Sequence, residues 1–209
     1  PLIRKVAKTK KPIIISTGLA TKKEIDEAIK IIKKQGNKKI IILKCTSSYP
    51  ADYQDLNLKM IEKYKKNYNT LVGFSDHSVG SLPAAVAVSF GANMIEKHIQ
   101  LGKSKKNVDN FFSTEVNEFK KMVDTIRNTE KILGSINFKI PDKAKVSLNG
   151  KRSIYVVQNI KKGEKFTKKN IKVIRPVFGL DPKYYDKVLG KRTNVNLNIG
   201  DKLRKKNIN

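Results

Sequence analysis

The chain has 209 residues, room for one large domain or two smaller ones, and a hydrophobic fraction of 39% with 12 glycines and 7 prolines that reads as globular rather than disordered. A formal charge of +27 raises nucleic acid as a partner, but the lysines are spread along the whole chain, with no helix-turn-helix, zinc-finger or aromatic RNA-binding signature, so nucleic acid is not the expected partner. The single Cys45 excludes an internal disulfide framework and points to the cytoplasm. No apolar run approaches the roughly 20 residues of a membrane span, and the basic start lacks the apolar core of a signal peptide.

In chain order, residues 1–11 run from Pro1 straight into Lys11-Pro12-Ile13, which reads as a cut within a larger protein. Residues 13–15 predict a short buried strand that ends in Ser16-Thr17-Gly18. Thr21 and Glu24 have capping-box spacing, and Ile25, Ala28, Ile29 and Ile32 follow at helical period up to Gln35-Gly36-Asn37. Residues 40–43 predict a second strand, running out through Cys45-Thr46-Ser47-Ser48-Tyr49-Pro50, and residues 56–64 a second helix. Residues 71–74 predict a third strand ending in Ser75-Asp76-His77, followed by a small apolar helix over 84–90 with Pro83 near its first turn. Met94-Ile95 opens a fourth strand ending in Glu96-Lys97-His98, and Phe119, Met122, Val123, Ile126 and Leu133 mark one face of a long helix.

After Gly134 this rhythm stops. The spacing predicts a partial barrel domain over 1–134, a polar linker over 135–150 and a small β-rich domain over 151–209. In the last, strands are expected at 153–158 and 173–176, with turns at Lys161-Lys162-Gly163 and Asn198-Ile199-Gly200-Asp201. A helical turn is expected at Phe166-Thr167, and a short helix from Asp181-Pro182 to Gly190. A domain of this size is near the lower limit for a self-supporting core and is expected to dock on something.

Apolar strands alternating with helices imply an α/β fold with a parallel sheet. Ser16, Thr46, Ser47, Tyr49, Ser75, His77, Glu96 and His98 all fall at the C-terminal ends of their strands, the face on which parallel sheets and barrels bind ligands. The only two histidines, His77 and His98, end adjacent strands, which suggests a shared divalent metal; nitrogen and oxygen ligands suit manganese or magnesium. Ser16-Thr17-Gly18 just before a helix suits a phosphate, and Ser47 and Ser75 extend the same cradle. Cys45 reads better as a small buried hydrophobe, Asp76 equally well as a buried acceptor holding its loop, and Phe111 and Phe112 as packing. Asp109 has a turn reading beside a functional one.

The runs Lys11-Pro12-Ile13-Ile14-Ile15-Ser16-Thr17-Gly18, Leu43-Lys44-Cys45-Thr46-Ser47-Ser48-Tyr49-Pro50, Gly73-Phe74-Ser75-Asp76-His77-Ser78-Val79-Gly80 and Ile95-Glu96-Lys97-His98 resemble the successive signatures of the sialic acid synthase family. Arg152-Ser153-Ile154-Tyr155-Val156, Ile160-Lys161-Lys162-Gly163-Glu164 and Ile174-Arg175-Pro176 look like that family's C-terminal antifreeze-like (SAF, β-clip) domain. Cys45 to Pro50, Val108-Asp109 and Gly179-Leu180-Asp181-Pro182-Lys183-Tyr184 are most similar to the pseudaminic branch.

The resemblance implies the C-terminal half of a TIM (β/α)8 barrel followed by the SAF domain. It implies metal-dependent condensation of phosphoenolpyruvate with an open-chain N-acylated amino sugar, releasing phosphate. In that reading His77 and His98 hold the metal, and Ser16, Ser75 and Ser47 bind the phosphate. Tyr49 and Asp109 contact the sugar, with His77, His98 and Asp109 as the catalytic set. Arg175 reaches in from the SAF domain of a partner subunit in a domain-swapped homodimer. The family's upstream strand carries a lysine, a serine and a glutamate that this chain lacks, so the chain alone is expected to be inactive, with an open sheet edge. The loop over residues 102–107 carries lysines where the family shows an arginine and glycines. The alternatives are an N-acetylneuraminate or legionaminate synthase and, from another class, a non-catalytic basic module binding carbohydrate or nucleic acid.

Overall fold

The structure, a computed structural model, describes residues 1–102 and 108–209. They fall into two compact units, Pro1–Ser135 and Ile136–Asn209.

In the first unit a short helix, α1 (Leu2–Lys8), precedes four strand–helix steps. Strands β1 (Ile13–Ser16), β2 (Ile40–Cys45), β3 (Leu71–Asp76) and β4 (Ile95–Lys97) form one parallel sheet in the order β1-β2-β3-β4. Helices α2 (Lys22–Lys34), α3 (Met60–Tyr68) and α4 (Leu82–Ser89) follow the first three strands. Two two-residue strands, β5 (Ile99–Gln100) and β6 (Thr114–Glu115), pair in parallel ahead of α5 (Val116–Leu133). The Thr21 hydroxyl accepts from the Glu24 amide while the Glu24 carboxylate accepts from the Thr21 amide, so α2 starts on the capping box its sequence predicts.

Register and the two-residue period of strands sort the side chains. Ile13, Ile40, Ile42, Val72 and Phe74 face the helices and share a core with Ile25, Ile29 and Ile32 of α2 and Ile61, Tyr64 and Tyr68 of α3. The opposite face carries Ile14, Ser16, Leu43, Cys45, Gly73, Ser75 and Glu96, aligned by Ile14↔Ile41, Ser16↔Leu43, Leu43↔Gly73, Cys45↔Ser75 and Ser75↔Glu96. That face is incompletely covered: Ile14 and Leu71 are half exposed.

β1 is an edge strand. The amides of Ile13 and Thr17 bond to the carbonyls of Lys39 and Leu43 on the β2 side. A parallel ladder uses alternate residues, so the backbone groups of Ile14 and Ser16 face the free edge.

The second unit begins with a 3₁₀ stretch (Asp142–Gly150) and pairs β7 (Ser153–Val156) with β8 (Ile171–Ile174) in antiparallel fashion. A short 3₁₀ turn (Pro182–Tyr184) leads into α6 (Tyr185–Val188). Its core, distinct from that of the first unit, holds Ile154, Val156, Ile160, Phe166, Ile171, Leu180, Val188, Leu197 and Leu203. The Ser153 hydroxyl donates to the Pro176 carbonyl (2.7 Å) and accepts from the Gly179 amide (2.8 Å), which ties the loop after β8 back onto β7.

Candidate functional site

Four strands end on one face, and side chains that follow β2, β3 and β4 meet there. His77 follows β3 and His98 follows β4, with ring centroids 5.2 Å apart in an edge-on arrangement. The Tyr49 ring, from the loop after β2, lies 4.3 Å from that of His77 and 6.1 Å from that of His98. Phe112 closes the group, 4.8 Å from His98 and 5.4 Å from Tyr49. At 4% exposure Phe112 packs, as its sequence position suggested, but what it packs against is the histidine pair. The sequence reading missed this contact, because 14 residues separate Phe112 from His98.

The tautomer of His77 follows from its neighbour. Its Nδ1 lies 2.9 Å from the Thr46 carbonyl oxygen, which can only accept, so in the neutral ring Nδ1 carries the proton and Nε2 the free lone pair. That is the arrangement in which metal-binding histidines are held by an outer partner. A ring centroid stands about 3.3 Å from an ion bound at its nitrogen, so two rings sharing one ion at tetrahedral or octahedral angles have centroids about 4.7–5.4 Å apart. The observed 5.2 Å fits. Among the described residues no three His, Cys, Asp or Glu side chains group as a ready-made metal cage, and the two histidines stand as a pair. Cys45 is buried, with Sγ 4.0 Å from His77 Nδ1, on the nitrogen that bears the proton. Asp109 Oδ2 lies 3.7 Å from His98 Nδ1, close enough for charge to matter but longer than a hydrogen bond.

A buried ion pair links the two histidine-bearing strands. Asp76 and Lys97 each immediately precede a histidine; Lys97 Nζ donates to Asp76 Oδ2 (2.7 Å) and to the Ser78 carbonyl (2.6 Å). Both side chains are sealed from solvent, at 0% and 1% exposure. Asp76 also accepts from the amide and hydroxyl of Ser78. The loop-holding reading of Asp76 therefore stands, and Lys97 is a residue that sequence reasoning passed over.

The serines are less uniform. Gly18 has φ +42°, and a Cβ built on it would stand 2.9 Å from Ser47 Oγ, so the turn after β1 leaves a small space against Ser47 that a side chain would fill. Ser16 is exposed beside that turn. Ser75 is buried, and its one hydroxyl proton goes to Glu96 Oε1 at 2.8 Å. A phosphate contact from Ser75 therefore requires that hydroxyl to turn. Arg175 is an exposed residue of the second unit, directly after β8. The lysine-bearing loop over 103–107 lies outside the described residues.

Comparison with known proteins gives the family. The NeuB family is matched over residues 1–138 and the SAF domain over residues 151–209. The chain is similar to a pseudaminic acid synthase of Campylobacter jejuni (strain 81-176), 45% identical over 202 residues that make up 97% of this chain and 59% of the relative. It is 36% identical to an N,N'-diacetyllegionaminic acid synthase of Legionella pneumophila over 97% of this chain and 58% of the relative. The solved structure of an N-acetylneuraminic acid synthetase from Leptospira borgpetersenii superposes with a TM-score of 0.64 at 33% identity, covering 70% of this chain and 51% of that one. The chain thus spans about three-fifths of the length of the curated relatives it matches. With both matches falling in order along the sequence, the chain belongs to the NeuB family, its SAF domain following the barrel-type region.

Proposed function

We propose that this chain carries the metal-binding side of a nonulosonic acid synthase site, of the pseudaminic kind. The observation that carries it is the histidine pair: two rings at the ends of adjacent parallel strands, at a separation that suits one shared ion, with the His77 tautomer set by Thr46. The pseudaminic assignment rests on 45% identity, against 36% for the legionaminic relative.

In this reading carbon 3 of phosphoenolpyruvate bonds to the aldehyde carbon of an open-chain N-acylated amino sugar, and the aldehyde oxygen takes a proton. Water adds at carbon 2, and the carbon–oxygen bond to phosphate breaks. A divalent ion, manganese or magnesium, held by His77 and His98 would supply polarisation of the aldehyde. Ser16, Gly18 and Ser47 receive the phosphate, using the small space beside Gly18. Tyr49 walls the sugar side of the histidine pair, and Asp109 holds a sugar hydroxyl or steadies His98. Phe112 keeps water from one side of His98. Arg175 is contributed by a partner subunit, and the protein works in the cytoplasm as a dimer. The four remaining strands of the barrel come from polypeptide this chain does not include.

Phosphate release from phosphoenolpyruvate is the test. It is followed with this chain joined to the rest of the barrel, and offered in turn the acceptor sugars for pseudaminic, legionaminic and neuraminic acid. Turnover is expected with the first, with none from the chain alone. Replacing His77 or His98 by Ala is expected to cost at least about 100-fold. Undiminished turnover in His77→Ala/His98→Ala would end this reading.

A further inference from the structure

Lys44 lies on the opposite face of β2 from the histidines. Ile40, Ile42 and Lys44 alternate toward the helices, whereas Leu43 and Cys45 share the face of Ser75. Lys44 is only 8% exposed, and no carboxylate pairs with it among the described residues. Its ammonium donates to the Cys45 carbonyl (2.7 Å) and to Thr46 Oγ1 (2.9 Å), which leaves its third proton without an acceptor among the described residues. A buried cation without a counter-charge is costly. Burial accordingly pushes the Lys44 ammonium below the ordinary lysine range.

The same lysine lines an open cleft of about 890 Å³ with Gln54, Asn57, Lys59, Met60 and Lys63. Among the described residues no acidic side chain lines it. Lys59 and Lys63 sit one helical turn apart at the start of α3, exposed and in no ion pair among the described residues; like charges at that spacing repel each other. Three cations that gather in a cleft without an anion are relieved together by a ligand that brings one.

We propose that this cleft is a second anion site, separate from the strand-end site, that takes a phosphate-bearing small molecule. Lys44 is its buried anchor, and Lys59 and Lys63 clamp the same group from the helix. The cleft is larger than a phosphate group, which leaves room for the body of the ligand.

The chain has three methionines, Met60, Met94 and Met122, so methyl-labelled protein gives one reporter in the cleft and two controls away from it. Inorganic phosphate, titrated at constant ionic strength, is expected to shift the Met60 methyl signal saturably and leave the other two in place. Lys44→Gln is expected to weaken that response at least about tenfold, as loss of a charge-assisted contact does. Lys59→Ala/Lys63→Ala changes exposed residues only, so it tests the site even where Lys44→Gln does not fold, and the same weakening is expected. Ser16→Ala is expected to leave the Met60 response unchanged. An unmoved Met60 signal, an equal response in the double lysine variant, or loss of the response in Ser16→Ala would overturn the proposal. A short RNA acting at lower concentration than phosphate would replace it with nucleic-acid binding.

Discussion

Asp76 and Lys97 have no solvent to fall back on, so each depends on the other. With exposures of 0% and 1%, removing one charge leaves its partner buried and unpaired. Asp76→Asn or Lys97→Met is therefore expected to cost about 3–5 kcal/mol in urea unfolding, and a loss below about 1 kcal/mol would show that the pair is dispensable. Tyr68 gives a pH signature. Burial, with a hydrogen bond to Asp26 at 2.7 Å, raises its phenol to about 12. The folded state then holds this proton more tightly than the unfolded chain, so its contribution is complete below the ordinary tyrosine pKa of about 10 and is lost as pH rises toward 12. Tyr68→Phe is expected to flatten stability against pH in that window, and an unchanged slope would contradict it. At this scale the sequence made the two histidines and Tyr49 legible, because strand-end position is written in the local pattern. It hid Lys97 and Phe112, whose importance comes from partners that only folding brings near.

Among the elements, every strand of the first sheet falls where apolar runs predicted it, and the differences have local causes. The second helix was expected over 56–64 but runs Met60–Tyr68. Residues Tyr53–Asp55 take a 3₁₀ turn first, and Asn57 then adopts φ +47°, a left-handed conformation that interrupts helical continuation. Leu133, expected on the buried face of α5, is half exposed at the helix end, and Met122 is the residue buried there. α1 was not anticipated; its basic sequence holds only one buried residue, Ala7, which is too little pattern to read. Gly73 explains how β3 fits between its neighbours. A Cβ there would meet the Met94 carbonyl at 2.5 Å and Leu43 Cδ2 at 2.6 Å, so the close approach needs a residue without a side chain. Gly73→Ala is expected to destabilise by about 1–3 kcal/mol and to shift amide signals of Ile95–Lys97. Signals and stability equal to wild type would show that β4 moves away at no cost.

Two cores, each with its own fully buried side chains, give the whole molecule two places where stability is decided. Phe166, 1% exposed, is the largest side chain of the second. Phe166→Ala is expected to cost about 3–5 kcal/mol, seen as earlier denaturant loss of the amide signals of residues 153–203; retention of their midpoint would mean that the core collapses around the cavity. The two units meet at Ser135 and Ile136, beside the halt of the strand–helix rhythm after Gly134, and residues 136–150, expected as a linker, group with the second unit. What no periodicity reports is the open side of the first unit. Along β1, Ile13 and Thr17 are tied to β2, while the alternate backbone groups of Ile14 and Ser16 point to the edge that no described strand pairs with. In deuterated water the strand behaves as a comb, with tied amides slow to exchange and free ones fast. Any strand that completed the sheet would slow Ile14 and Ser16 first, so closure of a barrel can be timed at two amides.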